Sequence, residues 1–215
     1  MQTVDIIYYF DALSSWCYVA DTSALAPVRE KYGERVRVEW RIAQLFEGGP
    51  LPYPVEGYAW YYRRLEHITG VHLNASWRRS DQDSTSHANL AVEACRALGV
   101  GDDRVRLGIA RAAMLEGRPM GERDAVVGVA AEVAQLDAVE IDRAMRSPVV
   151  AERIYRSSQA FAKLGVELRP AFDVRNAQGD RAVLSGICTF ASLDALVGEM
   201  LKTADVTEAL GPEPQ

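Results

Sequence analysis

Hydrophobic and polar positions alternate with different periods along this chain, and the changes of period mark its elements. Val4-Asp5-Ile6-Ile7-Tyr8-Tyr9-Phe10 is apolar, β-branched or aromatic at most positions and reads as a buried strand. A polar turn, Asp11 to Ser15, precedes a helical pattern that runs to Lys31-Tyr32 and stops at Gly33. Pro27 lies inside that pattern and predicts a kink there. Val36 to Ile42 alternates apolar and polar residues and predicts a second strand. Together these form a βαβ unit, with the polar turn at the C-terminal end of its first strand.

Gly48-Gly49-Pro50-Leu51-Pro52-Tyr53-Pro54 interrupts regular structure. Beyond it only helices are predicted, near 57–69, 84–98, 102–116, 122–135 and 137–146. Ser147-Pro148 reads as an N-cap with proline at the first helical position, opening a long helix that closes at Gly165. Two short strands follow, Ala171–Val174 and Arg181–Leu184, around the turn Asn176–Asp180. A last helix covers about Phe190 to Thr203. The order is therefore βαβ (1–54), an all-helical insertion (55–146), αββα (147–205) and a polar tail (206–215), within one divided domain.

Composition narrows the classes. Apolar content of 48% and charged content of 25% are ordinary for a globular chain. A net charge of −6 with no Lys/Arg stripe argues against a nucleic-acid surface. No run approaches the roughly 18 apolar residues of a membrane span, and the N-terminus lacks the pattern of a signal peptide. Three cysteines, Cys17, Cys95 and Cys188, are too few and scattered for a disulfide framework, so the cytoplasm is the expected compartment. His67, His72 and His87 lack metal-ligand spacing, and no metal is expected.

The chemistry concentrates at Asp11-Ala12-Leu13-Ser14-Ser15-Trp16-Cys17-Tyr18. Helix-start amides favour a nearby negative sulfur or oxygen, and two intervening residues put Ser14 and Cys17 on one helical turn, as in Cys-x-x-Cys redox sites. Serine in the first position cannot form a disulfide, but its hydroxyl donates a hydrogen bond to a thiolate. Serine is also a good N-cap, and a cysteine one turn into a helix is also a small buried hydrophobe.

The strand, this turn, the long helical insertion and Gly165-Val166-Glu167-Leu168-Arg169-Pro170-Ala171-Phe172 together resemble the DsbA-like branch of the thioredoxin superfamily over nearly the whole chain. The resemblance implies an α/β, thioredoxin-like fold with a large all-helical insertion, and Pro170 as a cis-proline. It places Ser14 at the attacking-cysteine position and Cys17 at the resolving one. Asp11-Ala12-Leu13-Ser14-Ser15-Trp16-Cys17 is also similar to the pattern of 2-hydroxychromene-2-carboxylate isomerases and kappa-class glutathione transferases. In those relatives the serine hydroxyl bonds the glutathione thiolate.

Three functions follow from the resemblance. The first is a thiol-linked enzyme that stabilises a thiolate, of glutathione or another small thiol, and acts on a small apolar substrate. The second is a disulfide oxidoreductase working through Cys17 alone, or derived from a parent with cysteine in place of Ser14. The third is a non-catalytic binder of an extended thiol peptide. The expected site is Ser14 and Cys17, with Ser15, Trp16, Arg169, Pro170, Gly186 and Ile187 holding thiol or substrate. Arg169 is a candidate clamp for a carboxylate or a solvated edge residue. Cys188 is a candidate second thiol, able to pair with Cys17, or a core cysteine. Tyr58, Tyr61 and Trp77 are candidates for an apolar cleft, or simply core. Glutathione is expected as a co-substrate rather than a tightly bound cofactor, and the chain is expected to be a monomer or homodimer.

Overall fold

The computed structural model describes residues 3–210, with side chains through Lys202. Four strands form one sheet: β1 (Val4–Phe10), β2 (Val36–Ile42), β3 (Ala171–Asn176) and β4 (Arg181–Ser185), in the order β2-β1-β3-β4. β1 is parallel to β2 and antiparallel to β3, and β4 is antiparallel to β3. The register sets Tyr8 opposite Trp40 on one side and Phe172 on the other. Tyr8 stacks on Phe172 at 4.8 Å, and Phe10 meets Trp40 edge-on at 5.7 Å. Burying each such ring is worth about 2–3 kcal/mol, so the central strand anchors the core.

The expected block of helices is present as α3 (Val55–Thr69), α4 (Ser86–Ala97), α5 (Arg104–Met114), α6 (Arg123–Ala134) and α7 (Ala138–Met145). α5 and α6 pack so closely that a Cβ on Gly108 would lie 2.8 Å from Val133. α8 (Pro148–Ala162) returns the chain to the sheet, capped by the Ser147 hydroxyl accepting from the Val149 amide. The 176–180 turn is set by Asn176, whose Oδ1 accepts from the amides of Gln178 and Asp180.

Three boundaries differ from the sequence expectation. The first helix divides into α1 (Ser15–Ala20), a π turn (Asp21–Leu25) and α2 (Ala26–Tyr32). The irregularity thus lies just before Pro27, whose missing N–H leaves the preceding turn of this continuous helix without one bond. β3 runs on to Asn176, paired with Val4. α9 (Phe190–Leu210) continues past Thr203 into the expected tail, of which 211–215 lies outside the described residues. Among the described residues no helix is long and apolar enough to cross a membrane.

Candidate functional site

Asp11 ends β1 and builds the turn. Its backbone carbonyl accepts from the Ser14 amide, and its Oδ1 accepts from the Leu13 amide. Its other oxygen, Oδ2, accepts from Thr85 Oγ1 at 2.6 Å, Asn89 Nδ2 at 2.7 Å and the Leu45 amide at 2.9 Å. Asn89 also accepts from the Ala12 amide at 3.0 Å. One buried carboxylate therefore ties together the turn, the insertion helix α4 and the segment after β2. This role of Asp11 is not foretold by the motif, although an aspartate closing an apolar strand before a turn is its one local signal.

Ser14 N-caps α1, its Oγ accepting from the Cys17 amide at 3.4 Å. Cys17 is 1% exposed, and burial pushes its thiol up to about 12 against the smaller opposing pull of Ser14. A neutral, buried thiol is a poor nucleophile.

Ser14, Ser15 and Trp16 line a cavity of about 340 Å³ together with Tyr58 and Tyr61 of the insertion and Tyr53 just before it. Leu13, Leu45, Phe46, Leu51, Glu167, Leu168 and Arg169 complete its walls. The three tyrosines form a continuous aromatic wall: Tyr53 stacks on Tyr61 at 6.0 Å, and Tyr58 lies 5.7 Å from the same ring. Behind it, Trp77 is fully buried, meeting Tyr58 edge-on and donating its indole N–H to Tyr62 Oη at 2.8 Å. Trp77 thus belongs to the core behind the cleft and does not line it, because its ring is enclosed and its N–H satisfied.

Phe46 and Glu47 both adopt positive φ, 48° and 54°, and Gly48 follows at 83°. Consecutive left-handed non-glycine residues are strained, and here they turn Phe46 into the cavity. No periodic pattern announces such a turn.

The Arg169–Pro170 peptide is cis. Arg169, a candidate clamp, spends its guanidinium internally, donating to the carbonyls of Ala43, Gln44 and Glu167 while lying 4.2 Å over the Phe161 ring. It is half-buried, borders the Ser14 cavity, and splices the cis-proline loop to the end of β2. Pro170 itself is buried. Gly186, at φ +86°, donates its amide to the Pro170 carbonyl at 2.9 Å, so the loop after β4 does return to the cis-proline. Gly186 and Ile187 do not line the Ser14 cavity. Ile187 instead shares a smaller one, about 280 Å³, with Trp16 and Cys188.

Cys188 is buried, with its thiol raised to about 11 by burial, and is not bonded to Cys17. Cys17 does not line the Cys188 cavity; Trp16 stands at both. A larger cavity, about 900 Å³, lies elsewhere, against α8, and meets the Ser14 site only at Glu167 and Arg169. Volume there does not coincide with the chemistry. Among the described residues no cluster of His, Cys, Asp or Glu could hold a metal ion.

With this geometry established, comparison with known proteins defines the class. The DSBA-like thioredoxin domain family matches residues 5–196, and the chain belongs to that family. The fold is similar to that of the cytosolic disulfide reductase DsbM from Pseudomonas aeruginosa: TM-score 0.71, 21% identity, covering 94% of this chain and 100% of that one. A second DsbM structure, with GSH, gives 0.70 at 21% identity, covering 92% and 99%. A 2-hydroxychromene-2-carboxylate isomerase gives 0.68 at 16% identity, covering 94% and 99%. No curated protein matches the chain in sequence. The family and its solved neighbours include disulfide oxidoreductases and an isomerase, which supports an enzyme of that broad class.

Proposed function

We propose that this protein is a thiol-dependent enzyme that takes its thiolate from a small external thiol, glutathione or a close relative, and holds it against Ser14. The observation that carries the reading is the contrast between the two motif positions. Ser14 presents a hydroxyl at the wall of a cavity, whereas Cys17 is a buried, protonated thiol. The sulfur that reacts therefore comes from the ligand. The Ser14 oxygen accepts from the Cys17 amide, which leaves its hydroxyl proton for an incoming thiolate and a charge-assisted bond. The helix behind Ser14 continues through the π turn to Tyr32 and adds its N-terminal field.

The tyrosine wall, with Phe46 and Leu168, offers the bound sulfur a small apolar partner, suited to conjugation, isomerisation or reductive cleavage. The DsbM structure with GSH supports glutathione as the thiol, and its cytosolic description supports a cytoplasmic setting, where glutathione is abundant and thiols are kept reduced. The burial of Cys17 weighs against a monothiol route through that residue.

Calorimetric titration with glutathione tests the reading. Saturable binding at millimolar concentration or below is expected, weakened about tenfold in Ser14→Ala by loss of a hydrogen bond to a charged sulfur. Absence of saturable binding to the unaltered protein overturns glutathione as the thiol. Gain of insulin-reducing activity in Ser14→Cys, with no glutathione binding by the parent, favours the oxidoreductase ancestry instead.

A further inference from the structure

Ligand-binding cavities generally run from about 300 to 1,000 Å³. At about 340 Å³ the Ser14 cavity stands at the small end of that range, with room for little beyond a small thiol. The cavity against α8, at about 900 Å³, stands near the large end. The two share a wall at Glu167 and Arg169, so a molecule seated in the second lies next to whatever occupies the first.

The walls of the α8 cavity are of two kinds. Leu90, Ile154, Tyr155, Phe161 and Val166 give an apolar surface. Glu47 and Glu167 add two carboxylates, and neither forms an ion pair among the described residues. Glu47 is set there by the strained turn after β2. Its two left-handed residues, at φ 48° and 54°, part company: Phe46 goes to the Ser14 cavity and Glu47 to this one. Strain held at a cavity wall points to a use for the side chains it places. Arg169 is the one cation among the lining residues described, and its guanidinium is already engaged by three carbonyls and the Phe161 ring. Arg153 and Arg156 of α8 pair with Glu93 and Glu152, and neither lines the cavity. Two carboxylates against one engaged guanidinium leave the wall net negative. An anion would be repelled there, whereas a cation would gain partners.

We propose that the α8 cavity binds a molecule joining an apolar body to a protonated amine, with the body against α8 and the amine between Glu47 and Glu167. As a binding site it stands on its own geometry. As the seat of the second substrate, beside a thiolate at Ser14, it rests on the thiol-dependent reading above and deepens it.

Three probes with one body test the charge: phenylbutylamine, phenylbutanol and phenylbutyrate, titrated calorimetrically at pH 7 without glutathione. The amine should bind about tenfold more tightly than the alcohol, and the carboxylate most weakly. Glu47→Gln combined with Glu167→Gln should bring the amine down to the alcohol's affinity and leave the alcohol within about twofold. Ala151→Trp, which places a large ring at an exposed position on the wall, should abolish binding of both while the protein keeps its urea midpoint. Equal binding of the three probes, no binding of the amine, or an amine preference that survives either variant overturns the proposal.

Glutathione titrated into the amine-saturated protein separates the two readings. Binding of both is the expected result. Glutathione binding without amine binding overturns the α8 site and leaves the thiol-dependent reading standing. Amine binding without glutathione binding keeps the α8 site but overturns its place as the seat of a second substrate for that thiol.

Discussion

Cys17 shows how far one side chain can be understood from its neighbours in sequence. Its spacing from Ser14 and its place on the first helical turn were legible in the motif. Its burial was not, because the packing of β1 and α1 decides it. That burial makes two measurable statements. Iodoacetamide at pH 8 should leave Cys17 unlabelled in the native protein and label it after urea unfolding, as read by peptide mass; native labelling would show the thiolate to be accessible. Alkaline stability should also depend on it. The folded thiol ionises near 12 and an unburied one near its ordinary 9.0. Below 9.0 both states keep the proton and the full stability is present. Between the two values the unfolded chain releases its proton first, so stability falls as pH rises. Cys17→Ala should flatten that fall in urea titrations, and an unchanged slope would contradict it.

At the scale of elements, the strands and helices were legible because their periods are local. The exceptions arose where distant contacts govern. The π turn at Asp21–Leu25 carries Asp21, whose carboxylate reaches Arg106 on α5, and no helical period encodes that partner. The turn after β2 is another case. Gly48 was visible as a breaker, but the left-handed Phe46 and Glu47 before it were not. Ser86 Oγ accepts from Gln44 Nε2 and donates to the Gly48 carbonyl, clasping this turn to α4. A Cβ at Gly48 would lie 2.5 Å from Ser86 Oγ and 2.6 Å from Gln44 Nε2, at a φ of +83°. Gly48→Ala should therefore destabilise the fold by about 1–3 kcal/mol, measured by urea unfolding. It should also weaken ligand binding, because Phe46 moves with the turn. An effect on neither would mean that the segment re-forms without strain.

Across the whole molecule, the insertion and the sheet are joined by a buried polar network. Arg106 donates to Asp21 at 2.6 Å and to Asp103 at 2.8 Å, while its guanidinium lies over the rings of Tyr8 and Phe10. Tyr8 Oη bonds both Asp21 Oδ2 and the Cys17 carbonyl. Arg29 completes the chain by pairing with Asp103. Burial raises the Asp21 carboxyl against the pull of Arg106, so this carboxylate depends on its partner for its charge. Arg106→Leu should cost about 3–5 kcal/mol, because it strands a buried carboxylate. The loss should shrink when Asp21→Asn is combined with it, as a double-mutant cycle in urea would show. Additive losses would mean that the two residues act independently. The order of elements around the insertion was readable along the chain, but this joint between residues 85 positions apart was not.

The pairing of Ser14 with Cys17 has a consequence for how such a protein would respond to its surroundings. A dithiol motif alternates between two covalent states and must be reset by another protein after each cycle. Oxygen and sulfur at these positions cannot join in a disulfide, so the pair stores no electrons as a dithiol does and needs no partner to reset such a bond. Its throughput would follow the concentration of free small thiol around it, rising and falling with that pool while the motif itself stayed chemically unchanged.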